Sequence, residues 1–106
     1  MPHEALIVFS TCPQADAPGI ADALVNERLA ACVNILAAVQ SVYRWHGQVE
    51  TATETLLIIK TTTDHYDELQ RRLRDLHPYE VPEILAIPIA CGDVPYLQWI
   101  KDATRA

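Results

Sequence analysis

The period of apolar and polar positions changes several times along the chain, and each change marks an element. Ala5 to Phe9 is a short unbroken apolar run with β-branched and aromatic members, which suits a strand buried on both faces. Pro13 stops its ladder. Ile20 and Leu24, with Ala21, Val25 and Leu29, then recur at helical spacing while Asp22 and Asn26 fall opposite. This predicts a helix from Asp16, as its cap, to Ala30, with Pro18 in the first turn. Cys32 to Trp45 and Gln48 to Thr62 are two β-rich runs separated by His46-Gly47, a two-residue hairpin signal. Strands of that length exceed the usual run of about five or six residues, so the hairpin is expected to project beyond the body of the domain. Asp64 caps a second helix whose apolar stripe is Tyr66, Leu69, Leu73 and Leu76, with Glu68, Arg71, Arg72 and Arg74 on a solvated face. His77-Pro78 ends it. Glu83 to Ala90 reads as a last strand that Pro88 places at an edge or a bulge, and Asp93 caps a short helix carrying Tyr96, Trp99 and Ile100 on one face.

The order is β-α-β-β-α-β plus a terminal helix. It predicts an α+β chain folded as a ferredoxin-like βαββαβ plait, with a long hairpin between the second and third strands and a C-terminal helix. With 106 residues the chain is one domain, residues 1–106. Half of the residues are apolar and 21% are charged, which excludes disorder and leaves apolar surface either for a dense core or for another subunit. Eight lysines and arginines against fourteen acidic residues give a net charge of −6, so no nucleic-acid partner and no anionic membrane partner is expected. The RNP pattern of aromatic and basic residues is also absent. Three cysteines without CxxC spacing make neither a disulfide framework nor a four-ligand zinc site, and fit a reducing compartment. The start lacks a basic leader, and the Ala5 to Phe9 run is only strand-length, so the expected location is cytoplasmic. No nucleophile elbow, phosphate loop or HExxH appears, and the chain is not expected to be an enzyme.

Five segments carry a more specific signal: Leu29 to Ile35, Ser41 to Glu50, Lys60 to Thr62, His77 to Glu83 and Tyr96 to Ile100. Together, and in this order, they resemble the CutA family of divalent-cation tolerance proteins. The resemblance implies a tight homotrimer in which the hairpin reaches a neighbour and extends its sheet, covering an otherwise unpaired edge. It also implies a response to metal ions, with copper or another divalent cation as ligand. The architecture is similar to that of PII signalling proteins, an analogy of fold alone. Copper binding in the family is associated with a thiol at the end of the first strand and with histidines just before Pro-Tyr. Here the thiol position falls on Ser10 and the first histidine position on Leu76, and only His77 matches. Cys12 shares the face of Ser10 by strand alternation and is the substitute, so His77 and Cys12 are the metal candidates.

His77 has a second reading, with its ring against the carbonyls at the helix end. Lys60, Tyr43, Trp45, Tyr79, Glu83 and Trp99 match family positions. Lys60 closes an apolar run and needs a partner, for which Glu83 is the expected counter-ion. These residues form either a structural ion pair with packing aromatics or a pocket at the trimer interface. In the second case Lys60 receives a small anionic ligand, and the protein is a regulatory or scaffold trimer that binds this ligand or a protein partner at intersubunit clefts without a dedicated metal. Cys32 reads as a small buried hydrophobe and Cys91 carries no role. His3, His46 and His65 are expected to be solvated. Glu50, Glu54 and Asp64 are too dispersed to predict a cage for a hard metal.

Overall fold

The computed structural model describes residues 4–105, so the expectation for His3 lies outside the described residues. Strand β1 (Ala5–Cys12) alternates as its pattern requires: Leu6, Val8, Ser10 and Cys12 are buried, while Ile7, Phe9 and Thr11 are half-buried. A 3₁₀ turn at Gln14–Asp16 then leads into helix α1 (Ala17–Asn26). Helix α1 is four residues shorter than the periodicity predicts. Arg28 takes the left-handed conformation (φ 61°), and the amides of Leu29 and Ala30 both donate back to Leu24 O, which closes the helix. Leu29 is buried in the turn that follows, so its apolar spacing imitates another helical turn.

Strands β2 (Cys32–Trp45) and β3 (Gln48–Thr62) pair antiparallel along their whole length, from Cys32 opposite Lys60 to Trp45 opposite Gln48. His46 (φ 50°) and Gly47 (φ 76°) both lie in the left-handed region, the signature of a type I′ turn, whose twist matches that of the strands it joins. A bulge between Leu36 and Val39, with Ala38 at φ 64°, breaks the register once. The second helix, α2 (Tyr66–Leu76), follows a 3₁₀ turn at Thr63–His65 and buries Leu69 and Leu73. Strand β4 (Leu85–Pro88) is shorter than the predicted Glu83 to Ala90 run and sits at a sheet edge, where Pro88 needs no ladder partner for its missing N–H. Helix α3 (Val94–Thr104) ends the described chain. Asp16, Asp64 and Asp93 stand near the helix starts as predicted, but none makes a side-chain cap. Ahead of α1 and α2 the 3₁₀ turns lead straight into the helix.

The four strands form one antiparallel sheet in the order β2-β3-β1-β4. Helices α1 and α2 share one face: Ile20, Leu24, Leu69 and Leu73 close over Val8, Cys12, Leu57 and Ile59 in a single core. A pair of helices also joins across that layer, where Arg72 grips Glu27 through a 2.9 Å contact. Helix α3 covers only one end of the second face, where Ile100 packs with Ala5 and Ala31. The remainder of that face, including Phe9, Leu36, Ile58, Leu85 and Ile87, is open and mostly apolar, with Leu85 and Ile87 at 59% and 50% exposure and the hydrogen-bonded Lys60 and Asn34 as its polar members. Strand β1 pairs only with Thr55 to Thr62 of β3, so the hairpin overhangs it by the span Gln48 to Glu54, as the strand lengths predict. Among the described residues no helix is long and apolar enough to cross a membrane.

Candidate functional site

The overhang has a second wall. Pro78 holds His77 in extended backbone (φ −81°, ψ 134°), so α2 stops there and residues 78–83 run back alongside the hairpin. Between the two lies a cleft of about 740 Å³. It draws Tyr43 and Trp45 from β2, Glu50 and Glu54 from β3, and Tyr79, Glu80 and Glu83 from the returning loop.

His77 fixes the position of that loop. Its ring is buried at 7% exposure and spans two backbone groups: Nε2–H donates to Thr11 O at 2.8 Å, and Nδ1 accepts the Tyr79 amide at 3.2 Å. Accepting at Nδ1 assigns the proton to Nε2 and leaves neither nitrogen with a free lone pair. The rings of His77 and Tyr79 lie 4.7 Å apart at the centroids. From there the Tyr79 hydroxyl donates to Glu54 Oε2 at 2.8 Å. Burial, and then the adjacent Glu54 carboxylate, raise the Tyr79 pKa well above the ordinary phenol value, so the group remains a donor. Glu54 is itself buried, at 7% exposure.

Cys12 shares the helix-facing side with Ser10, as alternation predicts, and both are fully buried. Burial pushes the Cys12 thiol up to about 11, with the negative charges of Asp16 and Glu54 adding to the effect. The thiolate, which is the metal-binding form, is therefore disfavoured at neutral pH. Ser10 Oγ and Thr55 Oγ1 are buried beside it without a protein hydrogen-bond partner. Among the described residues no three His, Cys, Asp or Glu side chains converge as a metal site would require. The His77 and Cys12 pair therefore does not fit a copper ion. One ring has both nitrogens engaged, and one thiol is packed into the core.

The raised thiol pKa has a measurable consequence. The unfolded thiol ionises near 9.0 and the folded one near about 11, so this contribution to stability is complete below pH 9 and is lost as pH rises through 11. Between pH 7.5 and 10.5 the wild type is expected to lose about 2 kcal/mol that Cys12→Ala does not lose, read from urea midpoints at the two pH values. Equal losses in both proteins would show that the thiol does not titrate in this way.

Of the predicted pocket residues, Tyr43, Trp45, Tyr79 and Glu83 are brought together, and Lys60 and Trp99 are not. Lys60 lies on β3 six residues beyond Glu54, roughly 20 Å along the strand, and donates to Asn34 Oδ1 on β2. It is a cross-sheet neighbour, so the expected pair with Glu83 does not form. Trp99 lies on α3 against Tyr96, with centroids 5.5 Å apart. Cys32 is half-buried rather than buried, opposite Lys60, and Cys91 is exposed. His65 accepts or donates one bond at Nδ1 with Thr62 Oγ1 at 2.7 Å, which ties the turn before α2 and departs from a freely solvated ring. The residue that sequence reasoning underrated is Glu54. Its one signal is a carboxylate two positions before the Leu56 to Ile59 apolar run, with only Thr55 between.

Comparison with known proteins adds an independent line. Residues 6–103 match the family model described as CutA1 divalent ion tolerance protein. The divalent-cation tolerance protein CutA of Thermus thermophilus is 50% identical over 99 residues, covering 92% of this chain and 96% of that protein. Human protein CutA is 41% identical over 107 aligned positions, and the match spans all of this chain but 60% of the human protein. The crystal structure of CutA from Xylella fastidiosa superposes with a TM-score of 0.94 at 43% identity, covering 96% of this chain and 99% of that one.

Proposed function

The chain belongs to the CutA1 divalent ion tolerance family, and from that premise we propose that it works as a homotrimer supporting tolerance of divalent cations through ligand recognition at its cleft. A copper ion held by His77 and Cys12 has no part in this reading. The observation that carries it is the cleft itself, a shaped space of about 740 Å³ with a buried carboxylate at its wall, next to a His77 whose nitrogens serve the backbone. The strand order β2-β3-β1-β4, with two helices over one face, supports assignment to the ferredoxin-like plait. Trimer formation is supported by two surfaces that a single chain leaves uncovered. One is the apolar second face around Phe9, and the other is the overhang at Gln48 to Glu54, which has no strand partner on its β1 side. Together they would set the cleft at a boundary between subunits. The free state of Cys12, Cys32 and Cys91 supports a reducing, cytoplasmic setting.

Calorimetric titration with Cu(II) and Zn(II) tests this reading. Wild type, His77→Ala and Cys12→Ser are expected to give the same weak, unsaturated isotherm. A stoichiometric isotherm in the wild type that both substitutions abolish would establish the soft-metal site and overturn the proposal.

A further inference from the structure

Among the described residues of one chain, the lining of the cleft includes Glu50, Glu54, Glu80 and Glu83 and no lysine, arginine or histidine. A small anion, the ligand expected had Lys60 been present, would meet only like charge there. Glu54 states the requirement most sharply. It is nine-tenths buried, its one hydrogen bond comes from the neutral Tyr79 hydroxyl, and the ion pairs among the described residues all lie elsewhere. A carboxylate withdrawn from water needs a cation or further donors to offset its lost hydration.

A bare metal ion is a poor answer, because it needs several oxygens converging on one point and the carboxylates here do not converge. They are spread out. Glu50 and Glu54 lie four residues apart on one side of β3, about 13 Å along the strand. Tyr79 stands against Glu54, Tyr43 stands opposite Glu50, and Trp45 lies two residues nearer the hairpin tip, diagonal to Glu50, each with roughly two-fifths of its surface free. Aromatic faces beside carboxylates favour alkylammonium groups, since the rings attract the cation and pack against its methylene stem.

We propose that the cleft binds a linear aliphatic polyamine, with one ammonium against Glu54, the stem across the Tyr43, Trp45 and Tyr79 rings, and a second ammonium toward Glu50. This rests on the reading of the cleft as the ligand site and names the ligand class. Spermidine is the probe, titrated calorimetrically into the intact protein and compared with Mg²⁺ at matched ionic strength. The expected result is a saturable isotherm for spermidine that Mg²⁺ neither reproduces nor competes away. Glu54→Gln and Trp45→Ala are each expected to weaken it at least tenfold. Trp45→Ala removes no charge and leaves the Tyr79 to Glu54 hydrogen bond in place, so it reports the aromatic contact even if the buried Glu54 substitution disturbs folding. Undiminished binding by Trp45→Ala, or displacement by Mg²⁺, would reduce the effect to diffuse electrostatics and overturn the proposal. Light scattering on the same samples keeps the two readings apart. A single-chain mass sinks the trimer, whereas an intact trimer that ignores spermidine sinks the polyamine alone.

Discussion

Replacing His77 with alanine is expected to destabilise the fold by about 2–4 kcal/mol, the sum of two lost backbone hydrogen bonds and a buried cavity. Without the ring, Thr11 O and the Tyr79 amide lose their partners at the junction of β1 and the returning loop. The penalty is larger than for an exposed histidine because the ring itself is buried, at 7% exposure, and its removal leaves a cavity. Urea denaturation at fixed protein concentration measures it, since the stability of an oligomer depends on concentration. His77→Gln retains one donor and one acceptor on a flexible stem and is expected to recover about half of the loss. Added copper should leave the difference between wild type and His77→Ala unchanged, because metal is not what the ring holds. A loss under about 0.5 kcal/mol, as for an ordinary surface change, would sink the assignment of His77 as the tie between β1 and the cleft wall.

Much of this architecture is legible in the sequence for identifiable reasons. The stripe of Leu69 and Leu73, the unbroken run from Ala5 to Phe9 and the His46-Gly47 turn all encode local geometry, and local geometry leaves a periodic trace. The end of α1 does not. Leu29 is buried in a turn, and burial in a turn produces the same apolar letter as burial on a helix. The site is less legible than the fold because its partners are far apart in sequence. Tyr79 reaches Glu54 across 25 positions and His77 reaches Thr11 across 66. Likewise, charge alone suggests pairing Lys60 with Glu83, whereas strand register gives Lys60 to Asn34 at a sheet position remote from the cleft. The aromatic members Tyr43, Trp45 and Tyr79 were recoverable as a set, but the sign of the charge beside them follows only from which carboxylates the hairpin and loop bring together.

Replacing Phe9 with aspartate is expected to convert the proposed trimer to monomers. Phe9 lies on the central strand β1, with Ile58 opposite it on β3 and Leu85 opposite it on β4, so it occupies the middle of the open apolar face. In a single chain the position is only half-buried, and a carboxylate there can reach water, so the subunit should keep its secondary structure by circular dichroism. In the proposed assembly the same face is covered, and each subunit would bring a carboxylate into a largely apolar interface, where the diagonal neighbour Lys60 is already engaged by Asn34, at several kcal/mol for every copy. That exceeds what surface substitutions ordinarily do and is enough to shift association by orders of magnitude. Light scattering after size exclusion should therefore fall from the mass of three chains to that of one. Val94→Asp is the control, because Val94 lies at 76% exposure on α3, outside that face, and should leave the mass unchanged. If Phe9→Asp stays trimeric, the second face of the sheet is not where the subunits meet. The overhanging hairpin would then have to carry the assembly by strand pairing alone, and substitutions along Gln48 to Glu54 would become the decisive ones.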